Sequence, residues 1–116
     1  MSPHPPVVLC LSGHDPTGGA GLQADIETLR ALGCHPATVV TALTAQDTRD
    51  VQAVYPQAPD LFLSQARLVL ADLPVAAIKI GLLGSAGIAL AVVKLIGEAG
   101  PVPVVLDPIL AAGGGH

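Results

Sequence analysis

A carboxylate and an amide are the side chains of this sequence best suited to hold a small polar ligand. Asp25 lies three residues after Leu22 and four before Leu29, so on a helix it would share or border the apolar stripe. A carboxylate there must be paired or must face a cleft. Gln46 follows a β-branched run, and its amide offers both a donor and an acceptor. Together they could read a polar edge, such as the ring nitrogen and amino group of a pyrimidine, although each could instead be an internally satisfied or ordinary loop residue.

A glycine-rich segment, residues 13–21, is the second candidate for ligand contact. A phosphate-binding P-loop would need Lys and then Ser or Thr directly after Gly18, but the sequence has Gly19 and Ala20 there. The run Gly19-x-Gly21-x-x-Ala24 fits a dinucleotide fingerprint only loosely, because it begins seven residues after the predicted strand ends. The glycines could serve a tight turn alone, or they could let a ligand approach the start of a helix closely.

Two further charged residues follow or end predicted strands. Asp107 precedes Pro108 and could orient a metal-bound phosphate group, or it could form an Asx-turn. Lys79 could face the site or could extend its ammonium into solvent, and we favour solvent. No ligand spacing such as HxxxH is found among the four histidines, so we expect no metal site built from them.

Alternating elements must position these residues. Strands are predicted at 7–12, 37–43, 76–80 and 104–106. Helices are predicted at 20–32, 59–71 and 85–96, and residues 44–57 are predicted to be irregular. The order βαβαβαβ predicts an α/β fold, a parallel sheet with helices on both faces, formed by residues 1–116 as one unit. Ligands of such sheets bind beyond the carboxyl ends of the strands, where the polar and glycine residues concentrate.

Composition excludes several classes of protein. The 116 residues carry a net charge of −4 and only five scattered Lys and Arg, which argues against nucleic acid and anionic membranes as partners. The apolar stretch Leu73–Ile96 is long enough to span a bilayer, but Lys79 and the glycines near its middle favour a strand, a turn and a helix. Two separate cysteines and no signal peptide indicate reduced thiols and a cytoplasmic protein.

Five segments together resemble the hydroxymethylpyrimidine/phosphomethylpyrimidine kinase family, which has the ribokinase-like fold. They agree with it in order and spacing along essentially the whole chain. The segments are SGHDPTGGAGLQAD at 12–25, VTALTAQDT at 40–48, VQAV at 51–54, KIGLLG at 79–84 and VVLDPIL at 104–110.

The resemblance implies a pyrimidine site. Its members hold the ring by the backbone at Gly13, by the acid at Asp25 and by the amide at Gln46, with apolar contacts at Thr44, Leu82 and Ile109. The implied reaction is phosphorylation of 4-amino-5-hydroxymethyl-2-methylpyrimidine and then of its monophosphate, with ATP and Mg²⁺, for thiamine biosynthesis. The alternative is a non-catalytic pyrimidine-binding module or degenerate paralogue.

Some residues of this sequence depart from the family pattern and limit this interpretation. Asp47 replaces the usual Asn, Glu27 replaces the usual Lys, and Leu82 stands where Met is common. In the family, the ATP site and the catalytic Cys lie beyond the position of His116, so we expect this partial domain to lack them and we assign no catalytic residue. Asp107 is the one residue we associate with phosphate or metal. A half-sheet would expose an edge strand and apolar helix faces, so we expect a homo-oligomer.

Overall fold

The computed structural model describes residues 4–107, which form five strands and three helices. The strands are β1 (Val7–His14), β2 (His35–Gln46), β3 (Val51–Pro56), β4 (Val75–Ile80) and β5 (Val104–Leu106), and the helices are α1 (Gly21–Ala31), α2 (Pro59–Asp72) and α3 (Ala86–Ala99).

One sheet contains all five strands in the order β3-β2-β1-β4-β5. The four predicted strands are present and run parallel, with β1 between β2 and β4. The prediction that residues 44–57 are irregular was wrong. Strand β2 continues to Gln46, and β3 pairs antiparallel with it at the edge of the sheet. The turn between them is closed by Asp47, whose carboxylate accepts hydrogen bonds from the backbone N–H groups of Arg49 and Asp50.

Helices cover both faces of the sheet, as predicted. On β1 and β4, alternate residues enter a core shared with α2 and α3, because successive strand side chains point to opposite faces. The residues between them, such as Cys10 and Lys79, point to the face that α1 covers. The core beneath α2 and α3 contains Leu9, Leu11, Val39, Phe62, Ala66, Ile78, Ile80, Ile88 and Leu95.

The apolar stretch 73–96 divides into β4, a turn and α3, as the interrupting glycines and Lys79 indicated. Helix α3 begins where predicted, because the Ser85 hydroxyl accepts a hydrogen bond from the Ile88 N–H. Within residues 4–107, no helix is both long and apolar enough to cross a bilayer.

Helix α1 has glycine just inside its start and just beyond its end. Gly33 follows the helix with φ of +81°, and the chain reverses there with hydrogen bonds from Gly33 N–H and Cys34 N–H back to the last turn. Gly21 opens the helix with φ of +62° and lies against the end of β1. The helix is thereby fixed across the carboxyl end of the sheet, and Asp25 falls one turn inside it.

Candidate functional site

The carboxyl ends of β1, β2, β4 and β5 meet at one edge of the sheet, and the loops that leave them carry the predicted site residues. The site has two parts. One surrounds the ends of β1 and β2, and the other surrounds the ends of β4 and β5. Since β1 pairs with β4, the two parts are adjacent.

Asp15 organises the glycine-rich loop from within. The carboxylate accepts hydrogen bonds from the Thr17 N–H and hydroxyl, both at 2.8 Å, and from the Gly19 N–H at 3.1 Å. Burial acts to raise the pKa of Asp15, but these hydrogen bonds together outweigh it and hold the pKa below its usual value. Sequence reasoning did not single out this residue, which fixes the loop between β1 and α1.

Gly13 lies where three parts of the chain approach one another closely. A Cβ atom at this position would meet the Leu82 side chain at 3.0 Å. A Cβ at Gly21 would lie only 2.3 Å from the Gly13 carbonyl oxygen, so the start of α1 passes directly over the end of β1. The structure therefore brings together Gly13 and Leu82, two of the predicted ligand contacts.

Gln46 is oriented by a short chain of hydrogen bonds. The Thr44 hydroxyl donates to the His14 carbonyl at 2.8 Å, and the Gln46 Nε2 atom donates to the Thr44 hydroxyl oxygen at 2.6 Å. The hydroxyl has only one proton and gives it to His14, so it can only accept from Gln46. This fixes the amide orientation and leaves its Oε1 atom without a donor among residues 4–107.

Asp25 and Asp107 share one ammonium group. Lys79 Nζ lies 2.8 Å from Asp25 Oδ1 and 3.8 Å from Asp107 Oδ2. The preference for a solvent-directed Lys79 was wrong, because its side chain is only 21% exposed and α1 places a carboxylate over it. Asp107 is half-exposed, and its N–H donates to the Ile80 carbonyl, so it continues the β4–β5 pairing.

Two oxygen atoms near this ion pair are buried and have no hydrogen-bond partner in the part of the chain that the structure describes. They are Asp25 Oδ2 and Ser12 Oγ. A Cβ at Gly81 would lie 2.2 Å from Ser12 Oγ and 3.4 Å from Lys79 Nζ, so the hydroxyl and the ammonium both border Gly81. Ser12 was not predicted as a site residue, since a Ser in an apolar strand carries no signal of being unpartnered.

Cys10 lies beneath the same cluster. It is fully buried, and its pKa is raised to about 11, first by burial and then by the charge of Asp25, which the charge of Lys79 partly opposes. The thiol is therefore neutral at physiological pH. Neither Cys10 nor Cys34 forms a disulfide, in agreement with the prediction of reduced thiols.

The remaining predicted residues are less informative. Ile109 lies outside the described residues. Asp47 and Glu27, the two acidic departures, are both exposed, and Glu27 contacts Gln23 on the surface of α1. Hydrogen bonds from Asp50 and Arg49 lower the pKa of Asp47. In this structure Asp47 serves the β2–β3 turn.

The solved structures that superpose on this chain include two kinases. A phosphomethylpyrimidine kinase from Clostridium difficile 630 superposes with a TM-score of 0.87 at 36% identity, over 96% of this chain and 48% of that one. The Staphylococcus aureus pyridoxal kinase in complex with pyridoxal gives a TM-score of 0.80 at 30% identity, over 92% and 40%. The ribokinase-like prediction is confirmed.

The sequence comparisons identify the family. The phosphomethylpyrimidine kinase family model matches residues 15–116, and the chain belongs to this family. It is 42% identical to the hydroxymethylpyrimidine/phosphomethylpyrimidine kinase of Escherichia coli K12 over 92% of this chain and 40% of that protein. The corresponding kinase of Streptomyces coelicolor is also 42% identical, over 90% and 39%. The chain thus spans about two fifths of the length of these relatives.

Proposed function

We propose that this chain supplies the pyrimidine-binding part of an ATP-dependent hydroxymethylpyrimidine/phosphomethylpyrimidine kinase. The substrate is 4-amino-5-hydroxymethyl-2-methylpyrimidine, followed by its monophosphate, on the route to thiamine. Phosphoryl transfer depends on positioning and charge stabilisation more than on covalent chemistry, so the part of the site that grips the ring sets the reacting hydroxyl in place.

The observation that carries the proposal is the buried, unpartnered Oδ2 atom of Asp25. A carboxylate oxygen is an acceptor only, and the complementary ligand group is an N–H donor such as an exocyclic amine. A ligand that supplies this donor replaces no competing protein hydrogen bond, because Oδ1 alone is held by Lys79. An aminopyrimidine has this group on a flat ring.

Gln46 supplies the second polar contact. Its Oε1 atom can accept from the ligand, and the second proton on Nε2 can be donated to a ring nitrogen. The Thr44 hydroxyl is already engaged at both ends, so Thr44 offers the ligand its methyl group. Leu82, packed against Gly13, would form an apolar wall, and Ile109 is assigned a similar contact by the family resemblance.

The nucleotide and metal would contact little of this half of the site. The glycine loop lacks the Lys and hydroxyl of a P-loop, and no cluster of three potential metal-ligand side chains occurs within residues 4–107. Asp107 fits a modest role, because Mg²⁺ keeps several waters and binds through one or two carboxylates together with substrate phosphates. ATP with Mg²⁺ supplies the transferred phosphoryl group.

Calorimetry with the hydroxymethylpyrimidine tests the proposal. We expect a Kd in the micromolar range, equivalent to about −8 kcal/mol, for the 116-residue chain. Asp25→Ala should abolish this binding. Asp72→Ala is the matched control, because Asp72 is an exposed carboxylate at the end of α2, just before the amino end of β4 and so at the opposite edge of the sheet from the site. Equal binding by both variants would refute the assignment of Asp25.

Pyridoxal is the second ligand to test, since pyridoxal kinases share this fold at about 30% identity. Pyridoxal carries no exocyclic amine to meet Asp25, and we therefore expect weaker binding than for the aminopyrimidine. Phosphorylation of the bound aminopyrimidine when ATP and Mg²⁺ are added would refute the alternative of a non-catalytic pyrimidine-binding module.

We further propose that the protein is cytoplasmic and self-associates. Strand β5 lies at the edge of the sheet with Val105 and Leu106 exposed, and Leu90 and Val93 are exposed on α3. Unpaired edge strands and apolar patches favour association. A sedimentation profile showing only monomer across the micromolar range would contradict this.

A further inference from the structure

Lys79 has an unusual position for a lysine. It lies between Ile78 and Ile80, both nearly inaccessible, in a strand that is paired on both sides. Strand alternation turns its side chain to the face that α1 covers, and four-fifths of that side chain is buried. A lysine is seldom buried to this degree unless it is paired.

The two oxygens of Asp25 have different surroundings as a result. Oδ1 accepts a hydrogen bond from Lys79 Nζ at 2.8 Å. Oδ2 is buried and has no partner in the described part of the chain. The ammonium therefore supplies the charge that balances the carboxylate while leaving one of its two acceptor atoms free.

We propose that Lys79 is the positioning residue that keeps Asp25 an anionic acceptor facing the ligand, and thereby makes the site prefer an amino group over a carbonyl. This inference rests on the proposed pyrimidine site. Lys79 itself acts through Asp25, and it holds the carboxylate with a charge-assisted hydrogen bond.

The reason lies in what Asp25 would become without the ammonium. Burial disfavours an ionised carboxylate that has no counter-charge, and so favours the neutral acid. A carboxylic acid carries an O–H donor, and it can therefore donate to a carbonyl as readily as its other oxygen can accept from an amine. The site would then lose its preference for the amine.

If the Lys79 ammonium were removed, Asp107 could not balance the charge of Asp25, since Asp107 is itself a carboxylate. It lies 3.8 Å from Lys79 Nζ and is more than half exposed, whereas Asp25 is 13% exposed. The ammonium is therefore the only cationic group within salt-bridge distance of Asp25 in residues 4–107. The nearby Ser12 hydroxyl is neutral.

The test compares two ligands on matched variants. The ligands are 4-amino-5-hydroxymethyl-2-methylpyrimidine and its analogue with a 4-oxo group, titrated calorimetrically at several pH values. The proteins are the unaltered chain, Lys79→Met, and Lys94→Met, which removes the same charge from an exposed position on α3. Each protein is tested with the same two ligands, so any protonation of the ligands themselves affects all three proteins equally.

We expect Lys79→Met to lower the ratio of amino to oxo affinity by about tenfold near neutral pH, since hydrogen bonds to charged groups are roughly twice as strong as neutral ones. Lys94→Met should leave the ratio unchanged at every pH. A merely structural role for Lys79 would weaken both ligands equally, and that result would overturn the inference.

Two further variants keep the test decisive if Lys79→Met does not fold. Lys79→Gln retains a donor toward Asp25 without the charge, and we expect the same loss of preference. Lys79→Arg retains the charge and should retain the preference. An unaltered ratio in Lys79→Gln would refute the inference while leaving the proposed function intact, whereas failure of the unaltered chain to bind the aminopyrimidine would refute both.

Discussion

Gly21 provides a stringent test of how α1 is set against the sheet. Its φ of +62° is in the left-handed region, which a residue with a Cβ adopts at a cost of about 1–2 kcal/mol. A Cβ would also lie 2.3 Å from the Gly13 carbonyl oxygen, well inside any real contact distance. Relieving that overlap requires a backbone shift, at about 1–3 kcal/mol.

We therefore expect Gly21→Ala to lower the free energy of unfolding by about 2–5 kcal/mol, a large part of the 5–15 kcal/mol typical of a domain. Gly33→Ala is the matched control. Gly33 has φ of +81° but open space around its Cβ position, so only the conformational cost of about 1–2 kcal/mol should appear. The gain from restricting the unfolded chain is common to both variants and cancels.

Urea unfolding followed by circular dichroism measures these differences. A third variant, Gly97→Ala, sets the scale, because Gly97 lies in α3 with open space around it and should gain about 0.5–1 kcal/mol. The expected order of stability is Gly97→Ala, then the unaltered chain, then Gly33→Ala, then Gly21→Ala. If Gly21→Ala loses no more stability than Gly33→Ala, the close crossing of α1 over β1 is wrong.

Three other predictions concern single side chains. Burial acts to raise the pKa of Asp15, but hydrogen bonds in the glycine loop hold that pKa below its usual 3.8. The ionised carboxylate therefore stabilises the fold above pH 3.8, and this stabilisation is lost as the pH falls through the lower pKa of the folded state. Asp15→Asn should therefore make the free energy of unfolding fall less steeply as the pH is lowered. Ser12→Ala should raise the urea midpoint, by about 1 kcal/mol in stability, because it removes a buried hydroxyl with no protein partner, and a lowered midpoint would contradict this. Iodoacetamide at pH 8 should modify Cys34 before Cys10, as read by mass spectrometry, because burial and the charge of Asp25 raise the pKa of Cys10 to about 11.

Most of the fold could be predicted from the sequence because its signals are local. Apolar β-branched runs, a helical stripe and Ser85 as a helix cap each depend on a few neighbouring residues. Strand β3 was missed because its pairing is not local. Its Val51 and Val54 favour a strand, but the polar residues around them resemble a loop until the turn at Asp47 folds β3 back against β2.

The site shows the same division. Asp25 could be singled out by its spacing from apolar residues and Gln46 by its place after a strand; the structure places Asp25 beside Lys79 on β4 and Gln46 at the end of β2. Lys79 was assigned to solvent because its immediate neighbours do not indicate which helix covers its face. Its partner on α1 is 54 positions away in the chain. The Ser12 hydroxyl lies close to Gly81, and no sequence pattern reveals that approach.

The same long-range contacts explain why this edge of the sheet suits ligand binding. A ligand that bonds to an exposed group merely replaces water, so its net gain is small. Asp25 Oδ2 and Ser12 Oγ are already buried in the fold without a ligand, so the cost of removing them from water is met before the ligand binds. A ligand donor that reaches Asp25 Oδ2 therefore gains more than it would from a surface carboxylate, and Lys79 supplies the positive charge that balances this carboxylate.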